Sequence, residues 1–404
     1  MDKSIPIYIH SSHGVFKFLG RKDETLGSAL KRSGIPLSAV ATYLVVSPTS
    51  KKLSDSIPSF ISASQPLNGI IKTGGHIVVQ LARNISLPSL LTGGKTFLRK
   101  VDNPVTEWIF PDSDKGAFYK ILSQLSSKDC FNIVLESVKE VLNNWPKNTS
   151  RRMIVGVSGG GDSNVLLSTL LKSGLVKKSD IFPVMMLGIP DWDRQKEQAK
   201  ELCQNLGLNL EIVEAEQVAK IVSVSSLSEL IKRFKKYFPD ADLEFLGTFL
   251  LRRVLSYYAK LHKAKYVAIG ANREDLVSEG LARIAKGLLP LPAPFRKIGS
   301  VTFVYPMWKV PKKIGDGAFP RYSLVNYENR NPSYSEGRCL YYYIAYATSE
   351  ICPGLDLTLL EGFSKIAAKE KTPIVKERTL NDFICKDKFT VEQLKKWKDL
   401  FDLV

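Results

Sequence analysis

The stretch Val157-Ser158-Gly159-Gly160-Gly161-Asp162-Ser163 constrains this chain more than any other. It follows the apolar run Met153-Ile154-Val155 and precedes Asn164-Val165-Leu166-Leu167, where the pattern continues as a helix. Three consecutive glycines let a backbone turn its amides toward one centre without Cβ clashes. A helix starting at once adds its dipole and free N–H groups, so the segment suits phosphate oxygens. Ser158 and Ser163 supply hydroxyls. Gly156 and Gly161 have the spacing of a Walker A loop, but Asp162 stands where that motif needs lysine. A G-x-G-x-x-G dinucleotide fingerprint is also missing.

Around this loop, residues 150–312 alternate apolar strands and helices. RMIVGVS, IFPVMMLGI, LEIVEA and KYVAIGA read as strands; NVLLSTLLKSG, RQKEQAKELCQNLG, 243–263 and EDLVSEGLARIAKG read as helices. Continuous apolar strands separated by helices predict an α/β fold with a parallel sheet covered on both faces. Residues 1–84 read as a separate α+β unit. Four strands surround the helix TLGSALKRSG, with Asp23 or Thr25 as N-cap and Gly34 as its stop. That order resembles a β-grasp domain. Carriers of that type end in an exposed Gly-Gly; here Gly93-Gly94 leads into Lys95 and reads as a linker turn. Residues 85–149 read as a connector followed by helices, including the amphipathic FNIVLESVKEVLNNW. Residues 313–404 form a C-terminal extension with Tyr341-Tyr342-Tyr343 and a lysine-rich terminal helix.

Ser158 to Ser163 match in full the S-G-G-x-D-S signature of the PP-loop ATP pyrophosphatases, which the chain resembles over about 150–312. The resemblance implies a doubly wound, Rossmann-like sheet. It also implies that ATP and Mg²⁺ are used to adenylate a carbonyl oxygen, with pyrophosphate released and a sulfur or nitrogen nucleophile then displacing AMP. Ser158, Gly159, Gly160, Gly161, Asp162 and Ser163 would hold the nucleotide, with Met186, Leu187 and Gly270 beside it. Val267-Ala268-Ile269-Gly270-Ala271-Asn272-Arg273-Glu274-Asp275-Leu276 is similar to the G-H-[HN]-x-D-D-[QI] segment of the tRNA-modifying branch. Ala271 and Glu274 replace its first histidine and first aspartate. Asp162, Glu274 and Asp275 are the implied metal ligands, although first-turn carboxylates of a helix are an alternative for the last two. Leu251-Arg252-Arg253 resembles the paired-arginine helix of 2-thiocytidine synthetases, which assigns catalytic roles to Arg252 with Asp162, Ser163 and Asp275. Tyr305-Pro306-Met307-Trp308-Lys309-Val310 resembles the segment that closes the family core.

The departures are equally specific. Iron–sulfur thiolation enzymes carry C-x-x-C before the paired arginines, whereas Phe245 to Thr248 hold no cysteine, so no Fe–S cluster of that type is expected. The five cysteines are scattered, which fits reduced thiols in a cytoplasmic protein. Cys203 reads as a core thiol; Cys339 and Cys352 form either a sulfur-relay pair or two buried thiols. The four histidines lack metal-ligand spacing.

Charge bears on the partner. There are 57 Lys and Arg against 40 Asp and Glu, a net charge of +17. The excess is spread along the chain, with clusters at Lys232-Arg233, Lys235-Lys236, Arg252-Arg253, Lys312-Lys313 and Lys395-Lys396. Several clusters around a nucleotide-activating core suggest tRNA. The same chemistry on a small molecule or free nucleotide, and a non-catalytic nucleotide-binding regulator, are the alternatives. A sulfur-donor protein and a homodimer are left open. No apolar run spans a bilayer, and the N-terminus lacks the apolar core of a signal peptide.

Overall fold

The computed structural model describes residues 4–11, 14–45, 59–71, 76–81, 95–111, 119–145, 150–239, 241, 243–320, 336–369 and 390–402. Gly93-Gly94 and Cys385 lie outside them. The chain divides into two compact units. One comprises Met1–Val134, Asn272–Ala282 and Lys309–Gly362; the other comprises Leu135–Ala271, Arg283–Trp308 and Phe363–Val404.

In the first unit the N-terminal sheet has the order β2-β1-β5-β3-β4. Its strands are β1 (Ile5–Ser11), β2 (Gly14–Gly20), β3 (Val40–Val45), β4 (Ser59–Phe60) and β5 (His76–Leu81). β1 and β5 pair in parallel and the other neighbours antiparallel, which is a β-grasp arrangement. Alternation places Ile5, Ile7 and Ile9 of β1 in the core under helix α1 (Leu26–Arg32). Thr25 is the N-cap, accepting from Ser28 N at 3.2 Å, and Gly34 takes the left-handed φ of 75° beyond the helix. β4 and the short α2 (Leu67–Ile71) are additions that the sequence pattern did not reveal. Tyr342, Tyr343 and Tyr346 of the helix Glu336–Ile351 join this core, so the tyrosine run of the C-terminal extension packs into the N-terminal module.

The stretch read as a connector is different from expectation. It carries β6 (Lys95–Arg99), β7 (Thr106–Pro111) and β8 (Tyr119–Leu125) in a sheet ordered β6-β8-β7. These strands are short and separated by turn-forming residues, so their period-2 signal is weak. Helix α3 (Ser127–Asn143) follows, burying Val134, Val138, Val141 and Leu142 at helical spacing.

The second sheet reads β11-β10-β9-β12-β14-β13. It consists of β9 (Met153–Gly156), β10 (Ile181–Met186), β11 (Glu211–Val213), β12 (Tyr266–Ala268), β13 (Phe295–Ile298) and β14 (Val301–Val304). All neighbours are parallel except the β13–β14 hairpin. Three strands succeed one another on one side of β9 and the rest lie on the other, so the fold is doubly wound and the order reverses between β9 and β12. Crossovers are made by α4 (Gly161–Lys172), α5 (Pro190–Asp193), α6 (Lys196–Asn205), α7 (Ala215–Ile221), α8 (Leu227–Tyr237) and α9 (Leu243–Leu261). α10 (Arg273–Ile284) and α11 (Lys312–Ala318) follow β12 and β14 in sequence, and Leu355–Lys369 is a further helix. No helix among the described residues is long and apolar enough to cross a membrane.

The terminal helix Val391–Asp402 is anchored by Trp397, which is 1% exposed. Five phenylalanines surround its ring: Phe249, Phe245, Phe401, Phe238 and Phe234, with centroids at 5.1, 5.5, 5.6, 6.0 and 6.2 Å. Edge-to-face packing of this kind adds to the apolar burial. Trp397→Ala is expected to lower unfolding stability by about 3–5 kcal/mol in a urea titration, the cost of deleting a large core aromatic.

Candidate functional site

The loop after β9 lies at the carboxyl end of the sheet, beside the point where strand order reverses. That is where open α/β sheets bind ligands. Val157 N donates to Val184 O at 2.9 Å, holding the loop's entry to β10. Its shape is then fixed by hydroxyls. Ser158 N donates to Ser163 Oγ at 2.9 Å, the two hydroxyl oxygens lie 3.1 Å apart, and Gly160 N reaches Ser158 Oγ at 3.4 Å. Ser163 is 4% exposed while Ser158 is exposed, so one hydroxyl closes the turn and the other faces outward.

Glycines are needed here for specific reasons. Gly159 has φ of 78°, and a Cβ on it would stand 2.7 Å from Gln195 O and 3.0 Å from Ala199 N. Gly160 is the N-cap of α4 and supplies no side-chain hydrogen bond, so no side chain caps the first-turn N–H groups. Asp162 stands in that first turn, partly buried. Gly270, just past β12, packs on Asp162: a Cβ there would come 3.2 Å from its carbonyl oxygen. The loop and the exit of β12 are therefore in backbone contact, as the sequence expectation for Gly270 requires.

Met186 and Leu187 end β10 at 3% and 4% exposure, and Leu187 N donates to Val213 O at 2.9 Å. That N–H is used by the sheet and does not point to a ligand. Arg252 lies on α9, partly exposed, one turn before Leu255, whose Cδ1 would stand 3.2 Å from a Cβ on Gly156. Phe245 to Thr248, the place of the absent C-x-x-C, is filled by packing. Phe245 belongs to the Trp397 cluster and Gly247 lies under the Trp192 ring.

In the first unit, the acids of α10 are occupied by the chain itself. Asn272 Oδ1 accepts from Asp275 N and Asp275 Oδ2 from Asn272 N, both at 3.0 Å, a reciprocal cap at the start of the helix. The other Asp275 oxygen accepts from Tyr342 Oη at 2.5 Å. Glu274 is 1% exposed and accepts from Lys312 N at 2.7 Å. Arg273 beside it bonds Asp356 at 2.9 Å. Among the described residues no group of three or more His, Cys, Asp or Glu is placed to hold a metal ion, so the three carboxylates expected to bind Mg²⁺ do not form a ready site. Of the three, Asp162 alone belongs to the loop. The roles of Asp275 and Glu274 depend on Tyr342 and Lys312, far away in sequence, and were not readable from α10 itself.

Two features of the second unit escaped the sequence pattern. Asp193 accepts from Gly188 N at 2.9 Å, and burial raises its carboxyl above the ordinary range. Trp192 sits on the short helix after β10. A lone glycine inside a helical pattern, Gly247, was the signal that something approaches α9 closely. Cys203 is 1% exposed and burial pushes its thiol up to about 11, as befits a core residue. Cys352 is partly buried, and the Cys339 side chain lies outside the described residues.

Residues 133–243, which include the whole loop, match the family described as NAD synthase. No curated relative matches the chain in sequence. Among solved structures, it is similar to the U34-tRNA thiolase NcsA from Methanococcus maripaludis with its 4Fe–4S cluster, at 17% identity and TM-score 0.47, over 65% of this chain and 89% of that one. It is also similar to the NH3-dependent NAD synthetase from Campylobacter jejuni, at 17% identity and TM-score 0.33, over 63% and 98%. The NMN synthetase from Francisella tularensis aligns at 14% identity and TM-score 0.39, over 63% and 100%. At these values none assigns a residue or a substrate. The family match over the loop, together with the loop's own sequence, points to the PP-loop ATP pyrophosphatase superfamily, a class of ATP-using enzymes.

Two measurements follow from these environments. Burial raises the Glu274 carboxyl from its ordinary 4.5 to about 8. The folded state then binds a proton that the unfolded state has lost, so this stabilisation is full below pH 4.5 and disappears as pH rises to 8. Stability measured by urea unfolding is expected to fall over that window, and Glu274→Gln to flatten the profile. Cys203→Ser is expected to retain activity, because a protonated buried thiol is no nucleophile; loss of turnover with the fold intact would assign Cys203 a covalent role.

Proposed function

We propose that the protein is an ATP-dependent adenylating enzyme that splits ATP into AMP and pyrophosphate and activates a carbonyl oxygen for replacement by sulfur or nitrogen. The observation that carries this reading is the loop itself. Its turn is closed by the Ser163 hydroxyl on Ser158 N, and it opens onto a helix start without a side-chain cap at the sheet's switch point. In this reading the backbone N–H groups of Gly159–Ser163 and the Ser158 hydroxyl hold the β- and γ-phosphates. Adenine lies over the end of β10 at Met186 and Leu187. Asp162 faces the magnesium that ATP carries, and Arg252 balances phosphate charge.

The chemistry is an in-line exchange at the α-phosphorus. The acceptor carbonyl oxygen forms a bond to it as the bond to pyrophosphate breaks, and donors aimed at the departing charge favour that step. A sulfur or nitrogen nucleophile then adds to the activated carbon, and AMP leaves with the former carbonyl oxygen. Asp275 and Glu274 act in this account as positioning residues that fix the start of α10.

For the acceptor, we infer tRNA. The support is the charge excess of +17, far more than one nucleotide requires, with exposed lysines such as Lys232, Lys235 and Lys236 on α8. A second reading, amidation of a small-molecule carboxylate, is favoured by the match to the NAD synthase family.

Pyrophosphate release from MgATP, with total tRNA or candidate carboxylates, separates these. Asp162→Asn and Ser163→Ala are expected to lower turnover by about 10²-fold or more, the scale of losing a key transition-state contact, with a thermal midpoint within a few degrees of the parent. A matching collapse of stability would make the loop structural. Binding to tRNA is expected to weaken steeply between low and physiological salt; absence of tRNA binding at low salt would leave the carboxylate reading.

A further inference from the structure

Of the five tryptophans, Trp108, Trp145, Trp308 and Trp397 are buried, at 8% exposure or less. Trp192 alone is half-buried, and its indole has no hydrogen-bond, cation or ring partner among the described residues. The ring is nevertheless held firmly. A Cβ on Gly247 would stand 2.9 Å from its Cη2 and 3.1 Å from its Cζ2, so its benzo edge lies directly on α9. Glycine is the poorest helix former after proline, and Gly247 sits inside a 19-residue helix. Close approach of this ring accounts for its presence.

The backbone around Trp192 is equally fixed. Trp192 N donates to Ile189 O at 2.8 Å, Gln195 N donates to Trp192 O at 3.3 Å, and the Gln195 carbonyl lies against Gly159 of the loop. The ring is thus wedged at the carboxyl edge of the sheet between the phosphate-type loop and α9. Five and six residues beyond Gly247, the same helix carries Arg252 and Arg253, about 7.5 and 9 Å further along its axis. A rigid aromatic surface with cations a short distance away is the combination that takes up an unpaired base together with its flanking phosphate.

We propose that Trp192 is a stacking wall for a nucleobase of a nucleic-acid acceptor, with Arg252 and Arg253 on the adjoining phosphates. The proposal rests on the adenylating-enzyme reading and names the class of acceptor: a base extruded from its stack, presented beside the loop. The adenine of ATP is not its occupant, since that ring is assigned to the end of β10, several residues earlier in the chain.

Trp192 provides its own probe, because acrylamide quenching of tryptophan fluorescence reports the one indole that solvent reaches. ATP binding is measured in parallel by calorimetry. Total tRNA is expected to shield Trp192 from acrylamide, and MgATP alone to leave it accessible. Trp192→Ala is expected to weaken tRNA affinity about tenfold, as for loss of one base–aromatic stack, with ATP affinity unchanged; Trp192→Phe restores most of it. Should the alanine variant not fold, the phenylalanine variant and the quenching of the parent protein decide. Shielding by ATP alone, or tRNA binding that leaves Trp192 accessible and is indifferent to the substitutions, would overturn the proposal while sparing the adenylation reading. Absence of ATP binding in the parent protein would overturn both.

Discussion

The second unit is organised around backbone contact at glycines. Gly159 meets the carbonyl of Gln195, Gly270 meets that of Asp162, and Gly247 meets the ring of Trp192. Each approach is closer than any side chain allows, and together they hold the loop, the exit of β12 and the start of α6 as one rigid edge. A phosphate-holding loop works by having its N–H groups already aimed, because reorganisation would cost the binding energy it supplies. Ser163 completes this. Its buried hydroxyl satisfies Ser158 N, so the turn keeps its shape without recruiting the N–H groups that a ligand would need.

Charge is treated differently in the two units. In the first, Glu274, Asp275, Asp356, Lys312 and Arg273 are engaged with one another or with backbone groups and shielded from water. Breaking such a set leaves an uncompensated buried charge, so these residues fix geometry more than they add net stability. In the second, Asp162, Arg252 and the lysines of α8 keep contact with solvent, which is where charge can act on a ligand.

What the sequence made legible depends on the range of the forces involved. The loop at 158–163, the strands of the second sheet and the Thr25 cap are local: residue type and spacing over a few positions decide them. The β-grasp order was readable because four strands and one helix in that succession leave few ways to pair. β6, β7 and β8 were not, because short strands beside turn residues carry little periodicity and exist only by pairing with one another. The roles of Asp275 and Glu274 were ambiguous for a related reason. Their partners Tyr342 and Lys312 are brought by tertiary structure alone. Phe245 and Gly247 showed the absence of cysteines but not what replaced them, since Trp397 and Trp192 arrive from distant segments.

The central claim is that the loop directs cleavage between the α- and β-phosphates. Its most direct measurement is the fate of ATP labelled at the α-phosphorus, incubated with Mg²⁺, total tRNA and the full-length protein, with the products separated by chromatography. The account predicts label in AMP, or in an adenylylated acceptor that yields AMP, in step with pyrophosphate. Label in ADP with release of inorganic phosphate would contradict it.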